Sequence, residues 1–181
     1  MRRSIINLLK QIEDQLSKVS LIADLLEKKS TSSSKVLKDW LLETENILQQ
    51  NNRPESSLLS AKRGELVAFY PKSKQNKKKE QLRFTAGVLS GSQNDLWDVY
   101  QKLAEVTENA KTLIKQLLGI IYQSKQFKYD AKVDFTMFLQ SMWKFCTEHE
   151  QLRGVTSQVL SMINTTDVLI ILAEEIEVEN L

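Results

Sequence analysis

His149, the single histidine of this 181-residue chain, lies between two carboxylates in Glu148-His149-Glu150-Gln151-Leu152-Arg153-Gly154. An imidazole flanked by an acid is the pairing of a phospho-accepting nitrogen: the acid orients the ring, and a nearby cation such as Arg153 attracts phosphate. Cys146 stands three residues earlier, so on a helix its thiol and the imidazole share a face, as a nucleophile pair or as two metal ligands. Each chemistry needs partners that the sequence lacks. A structural zinc site needs a second ligand pair, acyl transfer needs an oxyanion-stabilising loop, and paired Glu-x-x-His motifs need a second histidine. No Gly-x-Gly or Gly-Lys-Ser/Thr phosphate loop occurs. The chain is therefore expected to be non-enzymatic, with no metal, no cofactor and no small-molecule substrate.

The order His, acid, Leu-Arg resembles the dimerisation helix of histidine kinases and the histidine phosphotransfer motif, with one extra residue before Leu152-Arg153. One residue turns a helix by about 100°, which sends Leu152-Arg153 to another face. His149 also falls inside an apolar seam, whereas phosphotransfer requires exposure. A phosphotransfer-like bundle through His149 is thus a remote alternative to a hydrogen-bonded structural histidine. Cys146, the lone cysteine, reads as a small buried side chain. It excludes an intramolecular disulfide and fits a reducing, cytoplasmic compartment.

A second cluster is cationic. Lys72, Lys74, Lys77, Lys78, Lys79 and Arg83 against Glu80 give +5 in twelve positions, although the whole chain carries only +2. Such density suits phosphates, with Phe69, Tyr70 and Phe84 beside it to stack on bases. The competing reading is a solvated linker kept soluble by its lysines. Glu174, Glu175, Glu177 and Glu179 form an acidic tail that could meet the run, a contact worth little in salt.

The elements that must position these groups are helices. Three stretches keep apolar residues at alternating steps of three and four, the coiled-coil-like spacing that holds one stripe toward a neighbouring helix. The first runs from Ile5 through Ile12, Leu16 and Val19 to Leu26. The second includes Leu96, Val99, Leu103, Val106, Ala110, Leu113, Leu117 and Ile120. The third extends in register for 42 positions, Phe135 to Ile176, and passes through Phe138, Met142, His149 and Val159. Trp40, Trp97 and Trp143 are each expected on or near an inner face.

With 5 Gly and 2 Pro, few breakers interrupt these seams. Helices are expected over about 3–29 and 34–50, then from Pro54 to Phe69 with Pro71 as its stop, and over about 93–126. Ser30 to Ser34 connects the first pair, its hydroxyls available to cap the second helix. Residues 72–92 read as a basic linker, because Leu82, Phe84, Ala86 and Val88 alternate with polar residues as in extended chain. Ser92 begins a capping box, Ser92-Gln93-Asn94-Asp95. A last helix over 135–176, if unbroken, spans roughly 63 Å, with Gly154 and Asn164 as the places where it can bend.

The expected fold is all-α: a single domain over 1–181, a bundle of four or five long, mostly antiparallel helices. An unbroken last helix leaves Val168, Leu169, Ile170, Ile171, Leu172 and Ile176 uncovered, which marks them as a partner interface. The leading expectation is a non-enzymatic interaction or scaffold module that binds itself or another helical subunit in a larger assembly. The alternative is a nucleic-acid-associated accessory protein using Lys72, Lys74, Lys77, Lys78, Lys79 and Arg83. Membrane insertion is not expected, since the longest apolar run is Val168 to Ala173. Arg2 and Arg3 before an amphipathic helix suggest a surface anchor, but Glu13, Asp14 and Asp24 dilute that face.

Overall fold

The computed structural model describes residues 3–72, 75–125, 127–130 and 132–180, and among them it contains helices and no strand. In chain order these are α1 (Ile5–Glu27), α2 (Ser33–Gln50), α3 (Ser56–Ala68), α4 (Lys77–Ser124), α5 (Phe135–Glu148), α6 (Arg153–Met162) and α7 (Thr165–Glu175). A 3-10 turn, Val178–Asn180, follows. The all-α expectation holds. The bundle of four or five long helices does not describe the chain, since α3, α6 and α7 have only 13, 10 and 11 residues. No single helix among the described residues is long and apolar enough to cross a membrane.

Two compact units are distinguished: Asn7–Lys102, and Met1–Ile6 with Leu103–Leu181. Within the first, α1 and α2 run antiparallel, because successive α1 residues meet α2 in reverse order. Gln11 meets Asn51, Gln15 lies against Thr44 and Lys18 pairs with Glu43 at 2.8 Å, while Trp40 Nε1 donates to the Gln15 carbonyl at 2.9 Å. The buried face of α1 is Leu8, Ile12, Gln15, Val19 and Ile22, so the true stripe is rotated from the expected one and admits a polar residue. Gln15 tolerates burial because its side chain hydrogen-bonds the Glu43 carboxylate, and a satisfied amide avoids the desolvation penalty. The Thr44 hydroxyl, 3.4 Å from the Gln15 oxygen, donates to the Trp40 carbonyl at 2.8 Å. Ser30 and Ser32 share a hydrogen bond, Ser33 donates to the Ser30 carbonyl and Ser34 accepts from Gln81, so the serine hydroxyls of the first connector do not cap α2.

The basic linker expected over 72–92 is a correction. From Lys77 onward it is helical, the first turns of the 48-residue α4. Its seam is Thr85, Val88, Leu89, Ser92 and Leu96, all buried at helical spacing. Two of those positions carry hydroxyls, which hides the period from an apolar count. Thr85 Oγ1 donates to the Gln81 carbonyl at 2.8 Å and Ser92 Oγ to the Val88 carbonyl at 2.7 Å. Such back-bonding satisfies a hydroxyl inside a helix. Ser92 is thus a buried mid-helix residue and not the start of a capping box.

Further along α4 the buried stripe drifts off the heptad. Leu96, Val99, Leu103, Ala110 and Leu117 are buried as expected, but Ile120 is exposed and Ile114, Leu118 and Ile121 are buried instead. A straight helix has 3.6 residues per turn, so a strict 3.5 repeat slips by about 20° per heptad. Trp97 is also exposed, stacked on Tyr100, while Trp40 and Trp143 are buried as expected.

In the second unit the last helix is not continuous. It breaks at 149–152 and again at Ile163 and Asn164, with α6 and α7 meeting at 111°. Each break is stabilised locally. The Asn164 side chain accepts from the Asp167 amide at 2.8 Å and starts α7 as a true N-cap. Leu152 and Ile163, the residues at the turns, sink into the core at 5% and 0% exposure. The seam holds at Phe138, Met142 and Val159, but in α7 the buried face is Asp167, Val168, Ile171 and Leu172, while the seam positions Thr166 and Ala173 are exposed.

Asp167 is wholly buried and carries a second cap. Its carboxylate accepts from the Ser4 hydroxyl and, at 2.8 Å, from the Ile5 amide, the first amide of α1. A carboxylate there neutralises the positive end of α1 and satisfies donors that no helical carbonyl reaches. Glu175, from the acidic tail, is held by Lys111 and Lys115 of α4. The hydrogen bond from Lys111, outweighing burial, keeps its carboxyl below the ordinary carboxylate range.

Candidate polyanion-binding surface

In the first unit α4 runs antiparallel to both α1 and α3. Tyr100 bonds Glu13 at 2.7 Å, Lys62 pairs with Asp95, and Phe69 stacks on Phe84. This brings the last turn of α1 beside the first turns of α4. Between them lies a groove of about 790 Å³ lined by Leu26, Lys29, Gln75, Asn76, Lys78, Lys79, Leu82, Arg83 and Ala86. Four of the nine are cations and none is a carboxylate. Residues 78, 79, 82, 83 and 86 follow helical spacing, so one face of α4 presents three positive charges over an apolar floor.

Local structure explains how the cations reach this groove, and at what cost. Lys29 stands two residues past the end of α1 with φ 50°, the left-handed region. A side chain there costs about 1–2 kcal/mol, which glycine would avoid. Lys77, Lys78 and Lys79 are the first three residues of α4, at the positive end of the helix dipole, where cations are unfavourable and Glu80 alone compensates. Among the described residues none of Lys29, Lys78, Lys79 and Arg83 pairs with a carboxylate. Lys77 instead sits 5.7 Å above the Tyr70 ring. Lys78 and Lys79 thus stand unpaired where the helix dipole disfavours cations.

The six basic residues singled out from the sequence divide. Lys78, Lys79 and Arg83 line this groove, Lys77 lies beside Tyr70, and Lys72 is exposed before α4. Lys74 lies outside the described residues, as does Arg2. Lys29 was not among the candidates. The sequence shows it only as a cation at a helix end, and its place beside α4 depends on the antiparallel pairing.

The expected partner interface is a further correction. Val168, Ile171 and Leu172 are buried in the core of the second unit, and Leu169 and Ile176 pack against that core. Ile170 is half-buried. The bend at Asn164 supplies the cover that a straight helix would have lacked.

The His149 cluster does not assemble a nucleophile. His149 is the C-cap of α5, half-buried with its ring 5.3 Å from that of Phe145. Its Nδ1 is buried with no hydrogen-bond partner among the described residues, so the expected structural hydrogen bond at that nitrogen is absent. Glu148 leans toward Lys144, at 3.8 Å. Burial pushes the Cys146 thiol up to about 11, which leaves it protonated and unreactive near neutrality. Among the described residues no group of three or more His, Cys, Asp or Glu is poised to hold a metal. We expect His149→Gln to preserve the fold with a modest loss of stability. Acid-labile phosphate on wild-type protein that disappears in the variant would overturn that reading.

Among the described residues the fold is all-helical and carries a markedly cationic groove. No family model, curated protein or solved structure matches the chain.

Proposed function

We propose that this protein is a non-enzymatic helical binding module whose partner is a phosphate-bearing polyanion, nucleic acid, held in the groove between α1 and α4. The observation that carries this reading is the groove's composition: Lys29, Lys78, Lys79 and Arg83 with no opposing carboxylate. Phosphate contacts release condensed counterions, so unpaired lysines and arginines on one strip gain more from a polyanion than from a single anion. Positions that cost stability while serving binding are a recognised trade-off. The scaffold reading, association through Val168, Leu169, Ile170, Ile171, Leu172 and Ile176, has less support, since Val168, Ile171 and Leu172 are core residues and Leu169 and Ile176 pack against them.

Retention of the purified chain on a mixed-sequence oligonucleotide tests the proposal. Binding is expected to fall steeply with salt, with a log–log slope of about 0.7–0.9 per phosphate contacted. The triple variant Lys77→Glu, Lys78→Glu, Lys79→Glu should lose retention while keeping its melting temperature or raising it, because acids suit the N-terminal turn of α4. Salt-insensitive retention, or retention unchanged in the variant, would refute the proposal. A collapse of helical signal would show that the three lysines are structural.

A further inference from the structure

A second groove adjoins the first, and Arg83 lines both. It lies between α3 and α4, has a volume of about 800 Å³, and takes its apolar wall from Ala68, Phe69, Tyr70, Phe84, Gly87 and Val88. That volume falls within the range of ligand sites. Phe69 and Phe84 come from the end of α3 and from α4, with ring centroids 3.9 Å apart and planes 7° from parallel. Tyr70 follows directly and is 76% exposed, with the Lys77 ammonium over its ring. Gly87 leaves the wall open: a Cβ placed there would meet nothing within 4 Å.

Resting on the nucleic-acid reading above, we propose that the strand is single and that this second groove receives its bases. A duplex buries the faces of its bases and offers phosphates alone. A single strand offers both, so it matches a surface on which an aromatic, apolar concavity borders unpaired cations. Charge is complementary in the required order. Lys29, Lys78 and Lys79 line the first groove alone, where the phosphates run, and Arg83 lines both. The second groove sets its apolar wall beside Lys72 and Lys62, the latter already paired with Asp95. Two carboxylates, Glu65 and Glu80, do line the second groove. They repel phosphate and accept from amino groups, so they suit base edges, not backbone. Glu80 already accepts from the Lys72 amide at 2.9 Å.

Fluorescence anisotropy with a labelled mixed-sequence oligonucleotide, alone and annealed to its complement, tests the inference in wild type, Gly87→Leu and Tyr70→Ala. Gly87→Leu fills the groove, and on a helix leucine is preferred over glycine, so a thermal melt should show no loss of stability. The single strand is expected to bind wild type more tightly than the duplex. Each variant should weaken single-strand binding by roughly five- to 150-fold, the range of losing one stacked base, while duplex binding is unchanged. Equal affinity for both forms, untouched by Gly87→Leu, overturns the single-strand inference and leaves the basic-groove reading intact. Binding of neither form at low salt overturns both. Poly-glutamate competing as well as the oligonucleotide overturns the inference in favour of an acidic protein partner.

Discussion

Replacing Ile171 by alanine should destabilise the second unit by about 2–5 kcal/mol, the cost of deleting a large aliphatic side chain from a packed core. Ile171 is 1% exposed and belongs to the cluster built from α4, α5, α6 and α7. Urea denaturation should show a lower midpoint with an unchanged slope, because stability changes and the area exposed on unfolding does not. The same variant separates the two roles that α7 could have. As a contact surface between subunits, Ile171→Ala would fold with wild-type stability and lose assembly in light scattering. That outcome would restore the partner interface at Val168, Ile171 and Leu172.

Loss of the Asp167 carboxylate should be comparably damaging, although it removes few apolar contacts. Asp167→Ala deprives both the Ser4 hydroxyl and the Ile5 amide of this acceptor. An unsatisfied buried donor costs about 1–3 kcal/mol, more where the lost partner was charged. Asp167→Asn keeps the shape and one accepting oxygen, so it should fall between alanine and wild type. Hydrogen exchange adds a local readout: the Ile5 amide should exchange faster in both variants. Wild-type stability in Asp167→Ala, with Ile5 still protected, would show that the cap contributes nothing. Asn164→Ala serves as a reference, since an N-cap deletion typically costs about 1 kcal/mol.

How much of this was readable from residue order differs between the two ends of the chain. The first three helices follow directly from polar connectors and apolar spacing, and Phe69 ends α3 in extended backbone two residues before Pro71 as expected. The start of α4 was missed because Thr85 and Ser92 occupy core positions that an apolar count treats as gaps. The candidate groove was half legible. Lys78, Lys79 and Arg83 stand out as a charge run, but Lys29, 49 positions before Lys78, joins them through antiparallel packing.

The third seam shows where local information stops. Periodicity measures which side of each turn is apolar, and Phe138, Met142 and Val159 do face inward, whereas beyond Asn164 the buried face shifts to Val168, Ile171 and Leu172. Continuity of the helix depends on something else: whether a break costs more than the burial it permits. Asn164 lowers that cost by capping α7, and the bend lets Ile163, Val168 and Ile171 reach one core. Residue order therefore dictates the helical class and the cationic run, because these depend on composition and on spacings of three or four residues. The covering of α7, the capping of α1 by Asp167, and the meeting of Lys29 with Arg83 required the folded chain. Each joins residues whose separation leaves no mark in a helical period.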